Sequence, residues 1–457
     1  MDGWNANNGG GEASGMPGVH NLPEIKSRIH RKLLGRLNLA NLESVSREDA
    51  TRAIRTAIQE ILVDDQAALN IKERELLQVE ILDEIFGLGP LEPLMKDPEV
   101  SDILVNTFKD VWIEKGGKLF PTDIRFKDDT HLMQVIDRIV SGVGRRIDDS
   151  SPMVDARLPD NSRVNAIIPP LAVDGPHMSI RRFKRDVLSD EDLMSKGAFN
   201  KAMLEVLHAV VVGRLNILIS GGTGAGKTTL LNVLSSHIPG DERIVTIEDS
   251  AELQLRQPHV VRLETRPPNV EGKGEVTARA LVVNSLRMRP DRIIVGEVRG
   301  AEAVDMLQAM NTGHDGSLTT LHANTPRDAL NRLSTMVAMA NLNLPERAVR
   351  QQIANGIQVV LQVSRLPDGS RKLMSISEVV GMEGEVITMQ ELFTYERQGL
   401  DEDGNVLGRF RPSGIRPKFA DTLKARGVEL SGALFVERAA GEGDSRDPVA
   451  ARERGGW

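Results

Sequence analysis

Three spacings of apolar residues follow one another along this chain. Residues 22–86 place apolar side chains at helical spacing, as in Ile25, Ile29 and Leu33, which predicts a small bundle of amphipathic helices. Residues 87–185 combine short alternating segments with one helical stretch, which predicts an α+β domain with a mainly antiparallel sheet. From residue 198, near-continuous apolar segments alternate with helical ones, which is typical of a parallel sheet covered by helices on both faces.

The remaining segments have weak or polar patterns. Residues 1–21 are rich in Gly and Asn and are predicted to be a disordered leader. Residues 186–197 are predicted to link the second domain to the third, which should end near residue 404. Residues 405–457 are expected to be a C-terminal extension, disordered from about residue 440. The fold class expected for the chain is α/β.

One apolar strand leads into a glycine-rich loop and then a helix. Residues 215–230 read LNILISGGTGAGKTTL, a G-x-x-x-x-G-K-T pattern in the context that a phosphate-binding loop (P-loop) requires. Glycines let backbone N–H groups turn towards phosphate oxygens, and the helix N-terminus adds positive potential. Lys227 is expected to reach the β- and γ-phosphates, and Thr228 to ligate Mg²⁺. The residues expected to hold the nucleotide are Gly221, Gly222, Thr223, Gly224, Ala225, Gly226, Lys227, Thr228 and Thr229. The alternative is a glycine-rich turn that contains a lysine by accident.

Polar residues follow other strands at the edge of the sheet where ligands bind. Glu297 ends the strand RIIVGE and is expected to ligate Mg²⁺ through water or to orient the attacking water. Glu248 ends an earlier strand and is expected to be a general base, whereas Asp249 is expected to be structural; the alternative is that Asp249 or Ser250 caps the segment that follows. In GHDGSLTTLHAN, His322 is expected to point at the γ-phosphate, and a structural role is favoured for His314.

Composition and charge narrow the possible functions. The absence of cysteine excludes disulfides and cysteine-ligated zinc. A net charge of −8 and an aromatic content of 3% argue against a primary nucleic-acid-binding protein. No apolar run is long enough to span a bilayer and the start lacks a signal-peptide pattern, so a cytosolic location is expected. A cluster of basic residues in the first predicted helix could bind anionic lipid or a partner, although a solvated face is favoured. These residues are Lys26, Arg28, Arg31, Lys32 and Arg36.

Four segments in this order resemble the secretion traffic ATPase superfamily of type II and type IV secretion and pilus assembly. They are GGTGAGKTT, TIEDSAEL, LRMRPDRIIVGEVRG and GSLTTLHANTP, which resemble that family's Walker A, Asp, Walker B and His boxes. Upstream, LPDNSRVNAIIPPLAVDGPHMSIRRF resembles the tight-adherence (Tad/Flp) pilus assembly ATPases of the CpaF type. The resemblance covers about residues 81–394 and implies a RecA-like ATPase core after a PAS-like α+β domain. The four-cysteine zinc insertion usual in type II secretion and pilus extension ATPases is absent, which favours the Tad and type IV secretion branches.

The resemblance also assigns roles to individual residues. Lys227 and Thr228 would be the Walker A pair, Glu248 the Asp-box carboxylate, Glu297 the Walker B acid and His322 the His-box histidine. The family places arginines from the preceding domain on the nucleotide, and these match Arg163 and Arg181. In well-studied NTPases such an arginine contributes about 10³–10⁵ in rate. The alternative for these arginines is a surface ion pair, which fits Arg182 better than Arg163 or Arg181.

The resemblance further implies an assembly and partners. ATP and Mg²⁺ would bind to a ring-shaped homohexamer, at sites between each chain's two main domains. The motor would be cytoplasmic and peripherally attached to the inner membrane, where a platform protein inserts or removes pilin subunits. A conjugation-type type IV secretion ATPase is the alternative within the family. A RecA-like nucleic-acid motor and a scaffold that binds ATP without turnover are the alternatives outside it. Extension or retraction, ring symmetry and the platform partner stay open.

Overall fold

The computed structural model describes residues 25–26, 28–29, 32–33, 46–65, 69–182, 188–268 and 272–436. The chain divides into two units, residues 1–183 and residues 184–457. The predicted leader and the tail beyond residue 440 lie outside the described residues, as do Arg31 and Arg36 of the basic cluster.

The first unit begins with helices, as the apolar spacing predicts. Buried Ile25, Ile29 and Leu33 belong to a helical stretch that packs with the two helices that follow it. Its basic residues make ion pairs inside this bundle: the Lys26 ammonium lies 3.0 Å from the Glu80 carboxylate. Arg28 and Lys32 both pair with Asp65, at the end of the next helix. The helices after this stretch are α1 (Arg47–Asp64), α2 (Ile71–Phe86) and α3 (Glu92–Lys96).

Local capping fixes where these helices begin. The Ser46 hydroxyl oxygen accepts a hydrogen bond from the backbone N–H of Asp49, which gives α1 its N-cap. Asn70 and Glu73 form a reciprocal capping box at the start of α2. A 3₁₀ turn at Gly89–Leu91 follows α2.

A six-stranded antiparallel sheet forms the rest of the first unit, in the order β3-β2-β1-β6-β5-β4. Helix α4 (Asp129–Gly142) buries its apolar face in the same core as these strands. The mainly antiparallel α+β domain predicted from the sequence is therefore present. The strands are β1 (Val100–Thr107), β2 (Asp110–Lys115), β3 (Lys118–Pro121), β4 (Met153–Arg157), β5 (Arg163–Ile167) and β6 (His177–Arg181).

The second unit is built on a nine-stranded sheet in the order β15-β14-β13-β12-β7-β11-β10-β8-β9. The six strands from β12 to β9 are parallel to their neighbours, and β13, β14 and β15 continue the sheet in antiparallel fashion. The strands are β7 (Ile217–Gly221), β8 (Ile244–Glu248), β9 (Val260–Glu264), β10 (Arg292–Val295), β11 (Leu318–Leu321), β12 (Val359–Arg365), β13 (Arg371–Glu383), β14 (Val386–Leu400) and β15 (Val406–Pro412).

Helices cover both faces of this sheet, as the continuous apolar strands predict. In β7, Ile217 and Ile219 belong to one buried cluster, whereas Leu218 belongs to the cluster on the other face. The helices are α5 (Asp190–Ser195), α6 (Lys201–Val212), α7 (Lys227–Ser235), α8 (Ala278–Ser285), α9 (Glu302–Asn311), α10 (Pro326–Ala338), α11 (Glu346–Gly356) and α12 (Phe419–Ala425). The chain thus has the α/β fold expected from its sequence.

Two segments carry more structure than the sequence suggests. Helix α5 lies within the predicted linker. Residues 405–436 are part of the second unit, because β15 extends its sheet and Phe419, Leu423 and Phe435 are buried in its core. The burial along β15 does not alternate between successive residues, and α12 has only seven residues. Neither element therefore has a clear pattern of apolar positions from which it could be predicted.

Candidate functional site

Four segments at the carboxyl ends of adjacent strands form the candidate site. The strand order β12-β7-β11-β10-β8 places the P-loop after β7, His322 after β11, Glu297 after β10 and Glu248 at the end of β8. Neighbouring parallel strands end at the same edge of a sheet, so these side chains converge there. The structure therefore brings together the site residues predicted in the second unit.

The P-loop has a conformation that only small residues allow. Gly224 and Gly226 adopt φ values of +69° and +97°, in the left-handed region that favours glycine. A Cβ on Gly221 would lie 2.5 Å from the Val363 carbonyl, because β7 pairs with β12 at this point. Helix α7 begins at Lys227 without a side-chain cap, so its first N–H groups can face an anion. This backbone fits the phosphates of a nucleotide.

Lys227 is nearly buried, with 8% of the residue exposed, and its ammonium points back into the loop. Its Nζ donates to the Gly222 carbonyl at 3.0 Å and lies 3.3 Å from His322 Nε2 and 3.5 Å from His322 Nδ1. A flexible cation in this place can transfer its hydrogen bonds to phosphate oxygens.

Glu297 is held through both carboxylate oxygens. His322 Nε2 lies 2.9 Å from Oε1, and the Arg299 guanidinium donates to Oε2 at 2.8 Å. Burial alone would raise the pKa of Glu297. The hydrogen bond and charge of Arg299 and the electrostatic effects of His322 and Lys227 outweigh burial, so the pKa of Glu297 is lowered overall. Glu297 is therefore a carboxylate at neutral pH, as a Mg²⁺ or water ligand must be.

His322 is biased towards its neutral form. Burial and the nearby charge of Lys227 lower its pKa, and the opposing effect of Glu297 is smaller. A neutral imidazole donates through one nitrogen and accepts through the other, which suits a position between a carboxylate and an ammonium group. His314 has no such position: its backbone carbonyl accepts from the Ser317 hydroxyl at 2.8 Å, in keeping with the favoured structural role.

Glu248 is almost completely buried, with 5% of the residue exposed. Its Oε2 accepts the backbone N–H groups of Glu252 and Leu253 at 2.7 and 2.8 Å, while Oε1 has no hydrogen-bond partner among the described residues. Burial raises its pKa, although these two N–H groups oppose the shift. A raised pKa and a free acceptor oxygen suit a general base.

Asp249 makes structural contacts, as the sequence predicts, although it caps no helix among the described residues. The next element along the described chain is strand β9, and the Asp249 carboxylate instead lies 3.1 Å from the Arg299 guanidinium. The backbone-capping role belongs to its neighbour Glu248, whose carboxylate points back into the loop rather than outward.

The predicted arginines lie in the first unit, side by side. In the antiparallel register Arg163 lies opposite Arg181, and Arg157 lies opposite Arg163 on the other side. Directly opposed residues share one face of a sheet, so three guanidinium groups form a row on β4, β5 and β6. Arg182 has a structural role instead, since it donates to the backbone carbonyls of Asp97 and Val100.

Four residues near the P-loop site or in the arginine row were not predicted from the sequence. Arg157 could have been found from the hairpin that joins β4 to β5, and Arg299 from its place two residues after Glu297. Arg371 donates through Nε to the Gly224 carbonyl of the P-loop at 2.9 Å. Gln362 donates to the backbone carbonyls of residues 323 and 324, which supports the loop that carries His322. Neither Arg371 nor Gln362 lies in a recognisable motif.

The donor set fits Mg²⁺ bound together with a nucleotide. No group of three or more His, Cys, Asp or Glu residues in the described parts of the chain could hold a metal by itself. Magnesium usually takes few protein ligands and keeps water and phosphate oxygens, so the Thr228 hydroxyl and Glu297 are sufficient.

Among the helices of the described residues, none has both the length and the apolar character needed to cross a bilayer.

Comparison with known proteins finds a matching family and several similar proteins. Residues 84–404 match the family model described as Type II/IV secretion system protein. A putative conjugal transfer protein of Mycobacterium tuberculosis H37Rv is 42% identical over 309 residues, which cover 66% of this chain and 87% of that protein. The type IV secretion system protein VirB11 of Bartonella quintana is 31% identical over 327 residues, covering 63% of this chain and 91% of that protein.

Among solved structures, the VirB11 ATPase from the Brucella suis type IV secretion system is 30% identical and covers 64% of this chain and 94% of that one. Its TM-score of 0.35 is too low to support a statement about the geometry of either unit. The match to the family model extends over more than half of the chain. The chain therefore belongs to the Type II/IV secretion system protein family, a family of secretion ATPases.

Proposed function

We propose that this chain hydrolyses ATP to ADP and phosphate and uses the free energy to drive a secretion or pilus machine. The observation that carries this proposal is the continuous contact from the P-loop through Lys227 and His322 to Glu297, with Glu248 on the next strand. A P-loop lysine, a Walker B acid and a buried second carboxylate on adjacent strand ends are the parts that phosphoryl transfer to water requires.

In this proposal each residue has one role. The P-loop N–H groups and Lys227 bind the β- and γ-phosphates, and Thr228 and Glu297 hold Mg²⁺. Bound Mg²⁺ supplies charge neutralisation between the phosphates. Glu248 accepts a proton from the attacking water, the water oxygen bonds to the γ-phosphorus, and the bond from that phosphorus to the bridging oxygen breaks, so that ADP leaves. His322 donates to Glu297 and keeps this carboxylate turned towards the phosphates.

We also propose that the arginine row of the first unit binds nucleotide phosphate during turnover. Directly opposed residues share one face of a sheet, so the row places adjacent guanidinium groups where an anion can contact more than one of them. Arg163 and Arg181 are the residues that the family resemblance assigns to this role, and Arg157 extends the row.

The machine proposed first is a Tad/Flp pilus, driven by a homohexamer that is peripheral to the inner membrane and acts on a platform protein. The segment LPDNSRVNAIIPPLAVDGPHMSIRRF supports this choice. A conjugation-type secretion ATPase is the second candidate, because a relative at 42% identity is named a putative conjugal transfer protein. Deleting the gene in its own host and scoring surface pili and DNA transfer separates the two.

Phosphate release by the purified full-length chain tests the enzymatic proposal. Lys227→Ala should abolish turnover, whereas Glu297→Gln should retain bound ATP and lose most hydrolysis. Arg163→Ala and Arg181→Ala should lower kcat without abolishing nucleotide binding. Normal turnover in Lys227→Ala would remove the P-loop from the mechanism. Strong stimulation by DNA would favour a nucleic-acid motor, and binding without release would favour a scaffold.

A further inference from the structure

One guanidinium group joins carboxylates that follow two neighbouring strands. Arg299 donates through one terminal nitrogen to Glu297 Oε2 at 2.8 Å, and its other terminal nitrogen lies 3.1 Å from Asp249 Oδ2. Glu297 follows β10 and Asp249 follows β8, which is the parallel neighbour of β10. The rigid fork of arginine suits such a bridge, since its terminal nitrogens keep a fixed separation.

Both ends of this bridge are anchored. The backbone N–H groups of Arg299 and Gly300 donate to one oxygen of Glu302, the first residue of α9, at 2.6 and 2.8 Å. The Thr265 hydroxyl lies 3.3 Å from the other carboxylate oxygen of Asp249. Arg299 is therefore held by its own backbone, and Asp249 is held from the side of β9.

The bridge contributes little to folding. The Arg299 side chain is 59% exposed and that of Asp249 is 44% exposed. Ion pairs with this exposure add little to stability, because water and salt screen them. What the bridge does supply is orientation. His322 holds one oxygen of Glu297 and Arg299 holds the other, so the plane of the carboxylate is fixed.

We propose that Arg299 is a positioning residue for the hydrolytic step, which orients Glu297 and couples it to Asp249. This inference rests on the proposed ATPase function. Without Arg299, the hydrogen bonds and ion pairs of Glu297 to the described residues are reduced to its contact with His322, and its carboxylate can rotate about its terminal bond. Its position relative to Mg²⁺ and water then varies, and small misplacements of reacting groups can cost about 10²-fold in rate.

Four variants of the full-length chain test this role by phosphate release, fluorescent-ATP binding and thermal unfolding. Arg299→Ala should lower kcat at least tenfold, with the nucleotide Kd within about twofold of the wild type and the Tm little changed. Asp249→Asn should lower kcat by a smaller factor. The double variant should be no slower than Arg299→Ala alone, because Asp249 acts through Arg299. Arg350→Ala, which removes the ion pair of Arg350 with Glu346 elsewhere in the unit, is the matched control and should leave kcat unchanged.

The outcomes separate this proposal from the one on which it rests. Wild-type kcat in Arg299→Ala would overturn the positioning role while leaving the ATPase proposal intact. Losses that multiply in the double variant would overturn the coupling to Asp249. A fall in Tm that accounts for the lost activity would make Arg299 structural and overturn the proposal too. No phosphate release by the wild type would overturn both proposals together.

Discussion

Replacing Gly296 by alanine should disturb the buried carboxylate of Glu248. An added Cβ at Gly296 would lie 2.9 Å from Glu248 Cγ, closer than such atoms approach in proteins, and 3.6 Å from the Ile247 carbonyl. Gly296 does not have a left-handed φ, so the backbone accepts alanine and only the space is lacking. Glu248 cannot swing aside freely, because the N–H groups of Glu252 and Leu253 hold its carboxylate.

In the Gly296→Ala variant, Glu248 either stays in place or moves, and the Tm and kcat distinguish the two outcomes. If Glu248 stays in place, overpacking costs about 1–3 kcal/mol. In a unit of this size each kcal/mol lowers the Tm by about 2–4 °C. If Glu248 moves, it loses hydrogen bonds worth about 1.5–3 kcal/mol each and leaves the position in which we propose that it accepts a proton. General-base catalysis is worth about 10²–10⁴-fold, so we expect kcat to fall at least tenfold.

Thermal unfolding and phosphate release together check this reasoning. Gly432→Ala is the control, because a Cβ there has no atom within 4 Å, and it should change neither quantity. The double variant Gly296→Ala/Glu248→Gln should have the same kcat as Glu248→Gln alone, since the two changes act on the same carboxylate. Wild-type kcat and Tm in Gly296→Ala would show that Gly296 does not determine where Glu248 lies.

Two further predictions concern buried and loop-bound arginines. Arg292 is fully buried and donates to Glu242 at 2.7 and 2.8 Å, so Arg292→Met should reduce the free energy of unfolding by about 3–5 kcal/mol. Breaking the exposed pair of Arg426 with Asp315 through Asp315→Asn should cost less than about 1 kcal/mol, and similar urea midpoints for the two variants would contradict this difference. Arg371→Ala removes the side chain that donates to the Gly224 carbonyl of the P-loop, so the ATP Kd should rise by about 2–10-fold in a fluorescent-nucleotide titration. An unchanged Kd would exclude a role for this contact in nucleotide binding.

The parts of the site that the sequence could predict share one physical property. Each lies in a short contiguous segment whose own pattern places it at the end of a strand, as with the glycine-rich loop before Lys227 and with Glu297 after RIIV. The carboxyl ends of parallel strands meet at one edge, so the convergence of these segments follows from the fold class alone. Their roles in catalysis stay predictions until the variants are measured.

What could not be predicted depends on register and on distant contacts. Arg371 and Gly224 are 147 positions apart, and only the pairing of β12 with β7 brings them together. The row of Arg157, Arg163 and Arg181 follows from strand register, which a one-residue shift would abolish. The residue type of Asp249 favours a cap, but a loop rather than a helix follows it, and its structural contact is with Arg299 on a neighbouring loop.

The strand that carries the P-loop has an unusual dependence on residues far along the chain. β7 pairs only with β11 and β12, which contain residues 318–321 and 359–365. A nascent polypeptide emerging from the ribosome therefore carries its glycine-rich loop on a strand with neither neighbour until those later residues have been synthesised. Long-range pairings of this kind form slowly. Nascent chains halted before residue 318 should consequently fail to retain ATP, whereas chains released after residue 436 should retain it.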